Sequence, residues 1–126
     1  MIESIHTPNA PAAIGPYSQA IRANGFLFVS GQIPIDPATG EMVDEDFAQQ
    51  ARQSLENVKQ ILVAARSGLE KVVSVDVFIT DMSKFSVFNQ VYETFFSNHK
   101  PSRAVVEVST LPKGAQLEVK CVAVAE

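Results

Sequence analysis

Apolar and polar positions alternate over residues 18–22 and again over 26–33, the period of two expected of a strand with one buried face. Between them stands Ala23-Asn24-Gly25, and Asn-Gly supplies the positive φ values of a tight hairpin turn. Two antiparallel strands are predicted to begin the fold. The run Asp36-Pro37-Ala38-Thr39-Gly40 then sets φ with proline and ends on glycine, so residues 33–35 should fold back onto a short piece at 41–43.

From Phe47 the period lengthens. Phe47, Ala51, Leu55, Val58, Leu62 and Ala65 recur at spacings of three and four, while Gln49, Arg52, Gln53, Glu56 and Lys59 face away, which predicts an amphipathic helix. Asp44, Glu45 and Asp46 suit the positive end of its dipole, and Gly68 is expected to stop it in the left-handed conformation. Val73, Val75, Val77 and Ile79 alternate with Ser74, Asp76, Phe78 and Thr80 as the next strand. A second helix is predicted over 84–98 from the stripe Phe85, Phe88, Val91, Tyr92, Phe95 and Phe96, with Asp81 or Ser83 as N-cap and Lys100-Pro101 beyond its end. Residues 104–108 and 117–124 read as two last strands, joined through Leu111-Pro112-Lys113-Gly114 as a closing hairpin.

The order β-β-β-α-β-α-β-β, without repeat or linker, predicts one α+β domain over residues 1–126. Two crossovers of the same hand should lay both helices on one face of the sheet and leave the other face uncovered. Alternation in the expected hairpin sets Arg103, Val105 and Glu107 on one side with Glu118, Lys120, Val122 and Val124. That mixture is too apolar for open solvent and too charged for a sealed core, so a subunit interface enclosing polar clefts is expected. A solvated face with a few incidental valines is the other reading.

Composition narrows the function classes. A chain of 126 residues, 46% hydrophobic and 19% charged, is globular and large enough for a core without metal or disulfide support. Its net charge of −4 and scattered basic residues make nucleic acid a poor partner. Cys121 is the only cysteine, which excludes an internal disulfide and suits a reducing compartment. The first residues carry no basic segment before an apolar run, and no stretch approaches ~20 apolar residues, so a cytoplasmic protein with no membrane partner is expected. His6 and His99 have no ligand cluster beside them, and neither a metal nor a phosphate-binding loop is predicted.

Arg103 begins a strand just after Pro101, where its planar fork can hold a small carboxylate through two parallel hydrogen bonds. Taken alone, such an arginine is more often half of a surface ion pair. Glu118 can orient or deprotonate a water, or equally serve as partner to Arg103 or Lys120. Tyr17 and Ser30 bring hydroxyls, and Gly15 and Gly31 allow close backbone approach, although hydrogen-bonded turns explain these residue types as readily. Cys121 reads as a small buried hydrophobe.

The stretches Ala10-Pro11-Ala12-Ala13-Ile14-Gly15-Pro16-Tyr17-Ser18-Gln19 and Val29-Ser30-Gly31-Gln32-Ile33-Pro34 resemble the reactive intermediate deaminase (Rid, YjgF-type) family. The likeness continues through Gln50-Ala51-Arg52-Gln53-Ser54-Leu55-Glu56-Asn57-Val58, Arg103-Ala104-Val105-Val106-Glu107-Val108 and Leu111-Pro112-Lys113, and so spans the chain. It implies a chorismate-mutase-like sheet, a homotrimeric barrel with clefts between subunits, and no cofactor. The implied reaction is hydrolysis of 2-imino acids such as 2-iminobutanoate and 2-iminopropanoate to 2-oxo acids and ammonia.

By position, Arg103 resembles the family's carboxylate-binding arginine and Glu118 its water-positioning glutamate, with Tyr17, Ser30, Gly31 and Asn89 lining the cleft. Val105 departs from the pattern, because relatives often carry cysteine there; a contact made through its backbone carbonyl would tolerate valine. The same cleft without turnover would make the protein a sensor of carboxylate metabolites or an oligomeric holdase.

Overall fold

The structure is a computed structural model that describes residues 1–125. The expected opening hairpin is present: β2 (Ala20–Ala23) and β3 (Phe26–Gln32) pair antiparallel around Asn24 and Gly25, whose φ values are 52° and 85°. A strand that period alone did not reveal, β1 (Ile2–Ile5), pairs with β2 at the sheet edge. Its exposed residues leave only Ile5 in the core, too little apolar content to register as alternation. The short ladder β4 (Ile35–Asp36) and β5 (Glu41–Met42) forms as expected.

Helix α1 (Phe47–Ala64) buries Phe47, Ala51, Leu55, Val58 and Leu62, and the Asp46 carboxylate caps it by accepting from the Gln49 amide at 3.0 Å. It ends earlier than predicted. Arg66, at φ 62°, takes the left-handed stop position, with Ser67 N donating to Leu62 O and Arg66 N to Val63 O, both at 2.9 Å. Gly68 is merely extended, at φ 178°. A 3₁₀ turn (Leu69–Lys71) then delivers the chain to β6 (Val72–Ile79). A bulge between Val72 and Ser74 turns Val73 outward, so the buried set is Val72, Val75, Val77 and Ile79. Asp81 caps a second 3₁₀ turn (Met82–Lys84), and α2 (Phe85–Phe95) is shorter at both ends than the expected 84–98.

The closing hairpin does not form. Strand β7 (Ser102–Glu107) runs parallel to β6 at the sheet edge, whereas β8 (Leu117–Val124) inserts antiparallel between β3 and β6, giving the order β1-β2-β3-β8-β6-β7. Two physical causes favour this. The β6-α2-β7 segment is a strand-helix-strand unit that delivers β7 parallel beside β6. Strand β8 carries the fully buried row Leu117, Val119, Cys121 and Ala123, which is best covered in the middle of the sheet.

Helices α1 and α2 pack on each other and on one face of the sheet, as expected. Buried amides pin the connections. Asn57 Nδ2 donates to the carbonyls of Ile33 and Ile35, and Gln50 joins the backbones of Asp44 and Gln116. Gln19 grips the 7–11 segment, accepting from Thr7 N at 2.7 Å while donating to the carbonyls of Thr7 and Pro11.

Candidate active site

The uncovered face carries the Glu118 half of the candidate site. Glu118 stands opposite Phe78 in the β6–β8 ladder, and Phe78 points away from the helices. Its carboxylate lies against the backbone of Gly31: a Cβ built on Gly31 would overlap Glu118 Oε2 and come within 2.7 Å of Cδ. Any side chain at residue 31 would therefore displace the Glu118 carboxylate. A bulge between Val29 and Gln32 sets Ser30 and Gly31 out of regular register beside β8, bending the strand at this contact.

Tyr17, Ser30, Gly31 and Glu118 line one cleft of about 580 Å³, with Ile33 and Pro112 among its apolar walls. Partial burial pushes the Glu118 carboxyl above its ordinary value, and Lys120 pulls it part of the way back. Ser30 Oγ donates to Ser18 O at 2.5 Å and Ser30 N to Gln19 O at 2.9 Å, so this hydroxyl first of all secures the segment that presents Tyr17. Tyr17 itself is half exposed, its ring packed beside Gly15.

Arg103 belongs to the opposite face. It pairs with Val75 of β6, whose side chain is buried under the helices, and its guanidinium reaches α2, donating from Nη1 to Asn89 Oδ1 at 2.9 Å. Its Cζ stands 4.7 Å from the Tyr92 ring centroid and 5.7 Å from that of Phe85. Arg103, Asn89 and Tyr92 line a second, smaller cleft with Lys100 and Pro101. Glu93 also lines this cleft, but among the described residues no carboxylate lies at ion-pair distance from Arg103, so the surface ion pair considered for it is absent. Val105, opposite Val77, packs against the core on this same face.

The expectation that Arg103, Val105 and Glu118 share a face is thus corrected. It rested on a β7–β8 hairpin; with β7 parallel to β6, Arg103, Val105 and Glu107 stand beside Val75, Val77 and Ile79 on the helix face. The structure brings Tyr17, Ser30, Gly31 and Glu118 together, and Asn89 with Arg103, but leaves the two groups on opposite sides of one sheet. Phe85 and Tyr92, the rings under Arg103, were read from the sequence only as apolar stripe. Their spacing of four and seven from Phe85 through Asn89 to Tyr92 is the signal that sets all three on one helix face. Cys121 is buried and its thiol is pushed up to about 12 by burial alone. Among the described residues no cluster of His, Cys, Asp or Glu is arranged to hold a metal.

A mixed sheet with two helices on one face, a partly buried carboxylate on the other and an arginine turned toward the helices make a chorismate-mutase-like α+β fold. The family model described as Endoribonuclease L-PSP matches residues 7–125, and the chain belongs to that family, the YjgF/Rid family. It is 52% identical over 126 residues to a RutC family protein of Pyrococcus horikoshii, covering all of both chains. It is 47% identical to a 2-iminobutanoate/2-iminopropanoate deaminase of Salmonella typhimurium, covering 98% of each. Among solved structures, a Rid family protein of Yersinia pestis superimposes with a TM-score of 0.97 at 46% identity, covering 98% of this chain and 99% of that one.

Proposed function

We propose that this chain, acting as one domain in a cytoplasmic homotrimer, hydrolyses reactive 2-imino acids to 2-oxo acids and ammonia. The observation that carries the reading is the division of the site. Arg103 holds an uncommitted positive charge on one face, and Glu118 holds a partly desolvated carboxylate on the other. A single substrate can meet both only where the Arg103 face of one copy abuts the Glu118 face of another. The uncovered face is suited to such an abutment: Phe26, Phe28 and Val106 lie on it and are 40–49% exposed.

In such a cleft Arg103 clamps the substrate carboxylate with the donors that Asn89 leaves free, fixing C2 of the protonated imine. Glu118 accepts a proton from a water as that water adds to C2, and returns it to the amino nitrogen of the carbinolamine. Glu118 then takes the carbinolamine hydroxyl proton as the C=O bond forms and the C–N bond breaks, which releases ammonia and leaves the 2-oxo acid, and the proton departs to solvent with the ammonia as ammonium. The iminium carbon is already electrophilic, so this route calls for no metal and no covalent nucleophile. Positioning supplies several kcal/mol of the barrier, and proton transfer about 10² to 10⁴ fold in rate. The relatives named as 2-iminobutanoate/2-iminopropanoate deaminases support the choice of substrate.

Charge and histidine placement argue against cleavage of nucleic acid by this chain. A net charge of −4 opposes binding of a polyanion, and neither His6 nor His99 lines either cleft. The deciding experiment generates 2-iminobutanoate enzymatically and follows 2-oxobutanoate with and without the protein. Acceleration over spontaneous hydrolysis is expected; binding of 2-oxobutanoate without acceleration would leave a carboxylate sensor instead.

A further inference from the structure

Arg103 projects from the edge strand onto a single stripe of α2. Phe85, Asn89 and Tyr92 stand four and three residues apart on that helix, so one face presents all of them to β7. Both ring centroids lie within the ~6 Å over which a guanidinium is attracted to an aromatic face. The third contact is the neutral amide oxygen of Asn89. These contacts orient the side chain without neutralising it. A carboxylate at the same place would hold the arginine as firmly and would consume the charge that an anionic ligand needs.

We infer that Phe85 and Tyr92 are positioning residues for the substrate-binding arginine: their rings fix the guanidinium so that its remaining donors face the cleft. The inference rests on the reading of Arg103 as the carboxylate anchor. The Tyr92 hydroxyl is buried without a hydrogen-bond partner, so the ring and not the hydroxyl makes the contribution. Tyr92 in turn stacks on Phe96 with centroids 4.7 Å apart, which holds the platform itself in place. Because the arginine contacts a part of the substrate that does not react, misplacing it weakens ground-state and transition-state binding alike, and the loss appears in KM.

The test uses the full chain in its native oligomeric state, with melting temperature and oligomer size recorded for each variant. Phe85→Leu and Tyr92→Leu should each raise KM for 2-iminobutanoate about 5- to 20-fold and leave kcat within about twofold. Inhibition by 2-oxobutanoate should weaken in parallel. Tyr92→Phe, which keeps the ring, should restore KM to within about twofold of the parent. Unchanged KM in both leucine variants, or a fall confined to kcat, overturns the inference. Arg103→Ala separates the two levels: if it is inactive while the leucine variants keep their KM, only the positioning role fails, and if it is fully active the anchor and the positioning role fail together. Should Tyr92→Leu not fold, Phe85→Leu decides the matter, since Phe85 is 36% exposed and lies outside the core.

Discussion

Arg103 and Glu118 lie on opposite faces of the same six-stranded sheet, one beside buried Val75 under the helices and the other beside Phe78 on the bare side. No rotamer of either side chain can pass through the sheet, so a site that uses both must draw them from different copies. Arg103→Ala and Glu118→Gln should each abolish deaminase activity as pure oligomers. Denatured together in equal amounts and refolded, they should regain about one quarter of the parent activity, the fraction of interfaces that pair an intact arginine with an intact glutamate. Activity assays on the refolded mixture check this, and a mixture as dead as its parts would require both residues from one chain.

Gly31 is held small by Glu118. Since the restriction is a collision and not a positive φ, Gly31→Ala should fold and assemble while displacing the carboxylate. A loss of about 10² fold or more in kcat/KM is expected if the glutamate acts as the proton acceptor. Circular dichroism and size-exclusion chromatography on the same sample separate this from misfolding.

The pH dependence follows from the direction of the Glu118 shift. Burial raises its pKa, so the folded chain takes up a proton more readily than the unfolded one. The contribution to stability is present below the unfolded pKa and is lost as pH rises through the folded one. If Glu118 is the proton acceptor, the acid limb of kcat/KM should lie above the ordinary glutamate value. Lys120→Gln removes the charge that lowers this pKa and should move the limb to higher pH. pH–rate profiles of the parent and of Lys120→Gln measure the shift.

Cys121 is the only thiol, and it is 2% exposed with its pKa pushed up to about 12. With valine and no thiol at residue 105, the native protein should keep full activity after iodoacetamide treatment, with no mass increment on the folded chain and one after denaturation. Alkylation of the native chain would show that the β8 face opens in solution.

Asn57 is fully buried and gives its amide hydrogens to two backbone carbonyls, Ile33 O at 3.3 Å and Ile35 O at 2.9 Å. Asn57→Ala strands those acceptors and should cost about 1 to 3 kcal/mol, a fall in Tm of several degrees. Denaturant unfolding gives the number. Because β4 follows directly on the Gly31 segment, kcat/KM should fall as well, though by less than in Gly31→Ala.

Local chemistry was legible directly. Asn24-Gly25 announced its turn, the spacing from Phe47 to Leu62 announced α1, and residues 10–19, 29–34 and 103–108 carried the family likeness together with Tyr17, Ser30, Gly31 and Arg103 of the candidate site. Less visible were β1, whose residues bury little, and the stop at Arg66, where left-handed backbone falls on a residue with no intrinsic preference for it.

The sequence by itself determined which residues alternate, where the helices run, the absence of a thiol at residue 105 and the presence of an arginine and a glutamate near the C-terminal end. Only the tertiary structure decided which neighbour each strand takes, and so which face each side chain occupies. Periodicity is a property of adjacent residues, whereas strand order is settled by long-range burial. Strand β8 goes to the middle because its apolar row needs cover on both flanks, β7 is carried past it to the edge, and Arg103 and Glu118 part company across the sheet.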